Sequence, residues 1–167
     1  MELRNLTEGD LELYEAVYCD PALWEHLGGP RPLEGLEDKL RRDAAAAAAD
    51  EYWVLVIVPD ADDGTPAGTV SIWPHDLGAG GTVNEMGWMV LPAFQGRGIG
   101  TAAVRAALER ARSTGRWDVV HAYPPVTNGR SNAIARATGF APVGELDYGE
   151  GDEVLRCNDW LIDLRAT

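Results

Sequence analysis

Apolar positions follow two rhythms along this chain, and the switches between them mark its elements. Alternating or continuous apolar runs at 2–6 (ELRNL), 52–58 (YWVLVIV), 68–73 (GTVSIW), 82–90 (TVNEMGWMV) and 117–123 (WDVVHAY) predict strands. Two further runs, near 140–147 and 154–164, predict terminal strands. Helical spacing appears after Thr7, an N-cap for GDLELYEAVY, where Leu11, Tyr14 and Tyr18 share a face. A second helix runs from Leu33 to Ala49 and ends in six alanines, which read as an undemanding helix surface. A third spans 98–114, and a fourth starts near Thr127 or Asn128. Turns rich in Asp, Gly and Pro (59–66) and in Gly (78–81) predict hairpins between the middle strands. Hairpins first and a strand–helix–strand unit later imply an α/β chain of the α+β type. Its sheet is expected to be mixed, mostly antiparallel, with six or seven strands and about four helices on both faces.

Composition narrows the class. The 167 residues suit one domain, 1–167, with a substantial core. The chain is 46% apolar and 25% charged, close to a globular average and unlike a disordered chain. No apolar run is long enough to span a membrane, and the N-terminus carries scattered charge with no signal-peptide core. Cys19 and Cys157 are far apart and read as free thiols of a reducing compartment, so a cytoplasmic location is expected. His26, His75 and His121 are too scattered for a zinc signature, and no metal is expected. Of the six tryptophans, Trp53 and Trp117 read as core, while Trp24 and Trp73 lie near loops and are candidates for a substrate wall.

The segment VLPAFQGRGIGTAAV (90–104) places Gly96, Gly98 and Gly100 between a strand and a helix. Glycines let the backbone bring its amides close to a ligand, and the helix start adds unpaired N–H groups and a positive dipole end. Together they predict an anion site for phosphate, with a bare tight turn as the alternative. A Walker A loop requires a lysine that Gly100-Thr101 lacks. Gly98 to Ala103 satisfies a dinucleotide fingerprint, but Asp118, twenty residues on, sits at the near end of its strand, and the motif follows antiparallel hairpins.

The stretch Gln95-Gly96-Arg97-Gly98-Ile99-Gly100 resembles the Q/R-x-x-G-x-G/A signature of the GNAT superfamily of acetyl-CoA-dependent N-acetyltransferases. A second block, Asn128 to Phe140 (NGRSNAIARATGF), resembles that superfamily's N-x-x-S/A…G-F signature at the expected spacing, and the strand ending Met89-Val90-Leu91-Pro92 fits as well. The N-terminal layout and the N-x-x-S form resemble the branch containing the ribosomal-protein N-terminal acetyltransferases.

The resemblance implies a GNAT fold, with a V-shaped splay between the strands at 82–90 and 117–123. It implies that the amides of the turn around Gly96, Arg97, Gly98, Ile99, Gly100 and Thr101 cradle the pyrophosphate of coenzyme A, with Gln95 shaping the loop. Backbone groups of Met89 and Val90 would pair with the pantetheine arm, and Val90 N–H would polarise the thioester carbonyl. Asn128, Ser131 and Asn132 are expected at the cofactor, although Asn128 alternatively reads as a pure N-cap. Many members carry a tyrosine seven residues after that asparagine. This chain has Ala135 there, so Ser131 is the expected proton donor to the departing thiolate. A protonated amine needs a base, directly or through water. Glu85 leads, with His121 and Tyr123 as rivals and His75 and Asp76 behind them.

The implied activity is acetyl transfer from acetyl-CoA to a primary amine by direct attack, with a non-catalytic CoA-binding module as the alternative. Charge adds to this reading. Lys and Arg number 14 against 27 Asp and Glu, a net charge of −13 that repels nucleic acid. The arginines concentrate in 86–144, around both motifs, where Arg97, Arg130 and Arg136 are candidates for phosphates. The flanking acidic blocks, including the loop 147–153, would border the acceptor mouth and draw in a cationic amine. A monomer or homodimer is expected.

Overall fold

The computed structural model describes residues 1–59, 63–149 and 154–165. Seven strands form one sheet: β1 (Glu2–Asn5), β2 (Trp53–Val58), β3 (Gly68–Asp76), β4 (Thr82–Val90), β5 (Val119–Ala122), β6 (Ala141–Tyr148) and β7 (Leu155–Asp163). Their spatial order is β1-β2-β3-β4-β5-β7-β6. Neighbours run antiparallel except β4 and β5, which are parallel and share the single register pair Glu85–His121. Four helices complete the fold: α1 (Leu11–Tyr18), α2 (Leu36–Ala48), α3 (Ile99–Thr114) and α4 (Gly129–Ala137).

Two apolar clusters cover the two faces of the sheet. Alternate residues of the strands, including Leu55, Val70, Met86, Val120 and Ile162, pack with Ala103, Val104, Ala107 and Leu108 of α3 and Ala135 of α4. On the other face Val54, Val56 and Val58 pack with Leu13, Tyr14 and Val17 of α1 and Leu36, Leu40 and Ala44 of α2. β2 is buried along its whole length, as its unbroken apolar run requires. Complete burial of such a side chain contributes roughly 1.5–3 kcal/mol. Trp53 and Trp117 meet edge to face in the core, ring centroids 4.6 Å apart.

Local chemistry explains where elements start and where the sequence expectation shifts. Thr7 opens a capping box closed by Asp10, but the first turn is 3-10 and the α-helix begins at Leu11. The inward face of α1 is Leu13, Tyr14 and Val17, with Leu11 and Tyr18 at its margins. The alanine run is less exposed than a bare surface. Ala44, Ala46 and Ala47 are buried because their small side chains let α2 lie close to the sheet. Beside them Asp43 accepts hydrogen bonds from Tyr14 (2.6 Å), Tyr52 (2.7 Å) and Lys39 (2.7 Å), tying α1, α2 and β2 together. Cys19 and Cys157 are both free thiols.

Candidate active site

The parting of β4 from β5 opens a cleft of about 1410 Å³ that runs from the glycine turn to the α1 side of the sheet. At one end stand Gln95, Gly96, Gly98, Ile99, Gly100 and Thr101. Gly96 and Gly98 hold φ of 72° and 75°, the left-handed conformation that side chains resist. Gly98 is the N-cap of α3, so the helix's first amides and its positive dipole end face this part of the cleft. Gly100 serves packing: a Cβ there would stand 2.9 Å from Ile134 Cδ1 and 3.3 Å from Val90 Cγ2.

Gln95 ties the turn to its neighbours. Its Nε2 donates to the Val90 carbonyl at 2.9 Å, and its Oε1 accepts from Arg130 Nη1 at 2.7 Å, so strand end, turn and α4 are joined through one side chain. Arg130 lines the cleft. Arg97 lies over the Phe94 ring at 5.7 Å and Arg136 over Trp160 at 5.5 Å, and neither guanidinium lines the cleft.

Strand register decides which backbone groups face the gap. Leu91 N–H donates to Ala67 O at 2.8 Å, and alternation from that pair gives the N–H and C=O of Met89 to Thr69 of β3. The groups of Trp88 and Val90 therefore point toward the splay, while Met89 contributes its side chain to the cleft wall. This corrects the expectation for the Met89 backbone: a Cβ on Gly68 would run into the Met89 carbonyl oxygen, so that oxygen is turned to β3. Trp88 Nε1 and the Tyr123 hydroxyl, both on lining residues, are buried without a hydrogen-bond partner. Buried polar atoms of this kind await a ligand or water.

The α4 residues divide. Asn128 is the N-cap, its side chain accepting from Ser131 N–H at 3.0 Å, and both residues line the cleft. Asn132 is 8% exposed and is not at the cleft. Its Nδ2 donates to the carbonyls of Pro125 (2.9 Å) and Asn128 (2.8 Å), and its Oδ1 accepts from Asn158 (2.7 Å) and Trp160 (2.9 Å). All its hydrogen-bonding capacity is used inside the fold, which removes its side chain as a cofactor contact. Ala135 of α4 is completely buried and faces the core.

At the opposite end, side chains from one sheet face converge. Period-two alternation puts Trp73 and His75 of β3, Glu85 of β4, His121 of β5, Tyr123 just past it, Tyr148 of β6 and Cys157 and Asp159 of β7 on this face. Glu85 is 6% exposed and accepts a hydrogen bond from the Tyr148 hydroxyl at 2.9 Å, with His75 Nδ1 3.4 Å from the same oxygen. Burial pushes the Glu85 carboxyl up to about 7, and the Tyr148 hydrogen bond moderates the rise. His75 stacks on Tyr148 with centroids 5.2 Å apart, and Tyr148 meets Tyr123 at 5.6 Å. Burial also raises the Tyr123 hydroxyl, and pushes the Cys157 thiol up to about 11. Tyr123 and Cys157 are thus both held protonated, poor bases beside Glu85.

The rivals are placed differently. His121 pairs through Nδ1 with Asp159 at 2.7 Å and is not a lining residue. Asp76 is turned into its own loop, accepting from Gly78 N–H at 2.8 Å. Trp24 and Trp73 both line the cleft, as do Glu25 and Arg31. Of the acidic loop expected at the mouth, residues 150–153 lie outside the described residues, and Asp147 is paired with Arg156 at 3.1 Å. Tyr148 and Cys157 belong to no motif and were not among the expected residues. For Tyr148 the sequence offers its place in the acidic segment 147–153, and for Cys157 the alternation of its own strand. Among the described residues no group of three His, Cys, Asp or Glu is placed to hold a metal, and no helix is long and apolar enough to cross a membrane.

The glycine turn, the open strand edge and the partnerless Trp88 Nε1 together suit a ligand with a phosphate end and an amide-bearing arm, the chemistry of coenzyme A. The family profile described as an acetyltransferase (GNAT) domain matches residues 1–141. Among solved structures, a ribosomal-protein-alanine N-acetyltransferase from Brucella melitensis is 26% identical, with a TM-score of 0.78 over 98% of this chain and 99% of that one. A ribosomal L7/L12 alpha-N-protein acetyltransferase (RimL) in complex with coenzyme A is 18% identical, with a TM-score of 0.80 over 99% and 94%. An aminoglycoside acetyltransferase in complex with coenzyme A is 20% identical, with a TM-score of 0.74 over 98% and 95%. No curated protein matches the sequence.

Proposed function

The chain belongs to the GNAT acetyltransferase family, whose members use acetyl-CoA, and on that premise we propose that it acetylates a primary amine by direct attack. The acceptor is a small cationic amine or a protein N-terminus. The observation that carries this reading is Glu85: a carboxyl with its proton affinity near neutrality, buried where the cleft begins.

Each residue then has a task. The amides from Gly96 to Thr101 hold the pyrophosphate, with Arg130 beside them. Trp88 offers its backbone groups to the pantetheine arm, which keeps the reacting atoms within one cleft. Bound acetyl-CoA supplies an activated acyl group. Val90 N–H is a fixed donor for the thioester oxygen, worth most in a site that excludes water. Glu85 takes a proton from the acceptor's ammonium through water, which leaves the neutral amine to attack the acetyl carbon. Its affinity near 7 lets it be ionised at rest and still hold the proton once taken. Ser131, on the first turn of α4, returns a proton to the leaving thiolate in place of the family's tyrosine.

Amine-dependent release of CoA thiol from acetyl-CoA is the test. Release that saturates in amine and falls in Glu85→Gln is the expected result. Saturable CoA binding with no release across polyamines, aminoglycosides, amino acids and N-terminal peptides would instead mark a binding module. A cationic acceptor drawn by the net charge of −13 also requires its KM to rise with ionic strength.

A further inference from the structure

Glu85 and Val90 stand far apart for a base and the thioester it serves. Five residues of extended strand separate them, about 16 Å at the rise of a strand. A carboxyl side chain covers only part of that span, and a single water extends its reach by only one hydrogen bond. A proton leaving an amine at the thioester therefore needs a fixed group along the way.

Tyr123 occupies that interval. The parallel pairing of Glu85 with His121 places Tyr123, two residues on, across from Gly87, where β4 and β5 part. Its ring stacks on that of His121 with centroids 5.7 Å apart, so it shares the sheet face that carries Glu85. Gly87 puts no side chain into the interval. Trp73 closes its floor, with Cη2 3.0 Å from where a Gly87 Cβ would stand. On its other side Tyr123 meets Tyr148, the residue whose hydroxyl donates to Glu85.

The hydroxyl itself is unsatisfied. Tyr123 is 7% exposed and lines the cleft, and its Oη is buried with no hydrogen-bond partner. A hydroxyl can donate and accept at once, and one buried with neither bond has lost its hydration for nothing in return. Its neighbours are already committed, Tyr148 to Glu85 and His121 to Asp159. Burial, with the charges of Asp159 and Glu85, holds the Tyr123 hydroxyl protonated. It can thus pass a proton on only while it receives another.

We propose that Tyr123 is the relay between the acceptor's ammonium and Glu85. Its oxygen takes a proton from the ammonium as its own proton moves to a water at Glu85, and a proton of that water moves to the carboxylate. One N–H bond breaks and one carboxyl O–H bond forms. Tyr123 and the water end neutral, as they began, and the amine keeps its electron pair for the acetyl carbon. The proposal rests on the reading above, with Glu85 as the base and the thioester at Val90.

The test is a double-mutant cycle of Tyr123→Phe, which keeps the ring and removes the oxygen, with Glu85→Gln. CoA release is measured at saturating acetyl-CoA with the fastest amine among spermidine, kanamycin, alanine amide and an alanine-leading peptide. Tyr123→Phe should lower kcat/KM about tenfold or more in the wild-type background. In the Glu85→Gln background it should lower it less than about twofold, because two members of one relay fail together. The wild-type pH profile should level off above about 7, whereas each single variant should keep rising toward the amine's own pKa near about 10. Losses that multiply in the double variant, or a Tyr123→Phe profile that still levels off above about 7, overturn the relay and leave Glu85 as the base. An unchanged Glu85→Gln overturns base and relay together, and no release with any amine overturns acetyl transfer as well. CoA titration checks that the variants are folded. Should Tyr123→Phe fail that check, wild-type crystals with CoA decide. An ordered water within hydrogen-bond reach of both Tyr123 Oη and the Glu85 carboxyl is expected, and its absence overturns the relay.

Discussion

The two ends of the cleft are built on opposite plans. The end we assign to the cofactor is backbone: a continuous turn from Gln95 to Thr101 with left-handed glycines and a helix start. The acceptor end is side chain: Trp73, Glu85, Tyr123 and Tyr148 arrive from separate strands and meet on one sheet face. A site made of amides accepts almost any neighbouring side chain but rejects a Cβ in the wrong place. A site made of side chains can exchange them without disturbing the chain path. On the reading proposed above, the backbone end sets cofactor use and the side-chain end leaves acceptor choice free to vary.

The largest effect tests the backbone plan. Gly98→Asp puts a carboxylate at the helix start and a side chain at φ 75°, so CoA affinity should fall about a hundredfold or more, read by calorimetric titration. Unchanged affinity would detach the pyrophosphate from this turn. Next comes the side-chain plan. Glu85→Gln should lower kcat by roughly 10²–10³ while CoA affinity holds, because it removes the proposed base and leaves the turn alone.

Smaller changes sharpen the contrast through pH. With the Glu85 carboxyl at about 7, kcat/KM should rise with pH through that value. Tyr148→Phe removes the hydrogen bond that favours the ionised form, so this limb should move to higher pH. The sign for stability runs the other way. A carboxyl raised above its ordinary 4.5 favours the folded state below that pH, and this contribution is lost as pH rises through about 7. Thermal melts of Glu85→Gln should then gain most over wild type at pH 8, by up to about 3 kcal/mol, and little at pH 4. The smallest effect is Asn128→Ala, which deletes the cap on Ser131 N–H and should cost about 1 kcal/mol in the same melts.

The same contrast governs what could be read from the sequence. The glycine turn and the α4 cap were legible because their chemistry lies in neighbouring residues, and β4 was delimited at Thr82–Val90 by its apolar pattern. Glu85 was visible as a carboxylate on that strand, but its pairing with Tyr148 was not, since a hairpin must fold to bring a residue 63 positions away against it. Asn132 misled for the reverse reason. Its place in the motif suggested a ligand contact, whereas Pro125, Asn158 and Trp160 claim its amide in the core. Met89 and Val90 are indistinguishable as donors in the sequence, because only the strand register decides which of them faces β3.

The lone register pair between β4 and β5 has a mechanical consequence. It is the seam joining two half-sheets, β1 to β4 on one side and β5, β7 and β6 on the other, and Glu85, the base we propose, sits on that seam. If the halves flex, Glu85 lies at the pivot and the phosphate turn at the end of the lever. The mouth can then widen while the Glu85 carboxyl scarcely moves.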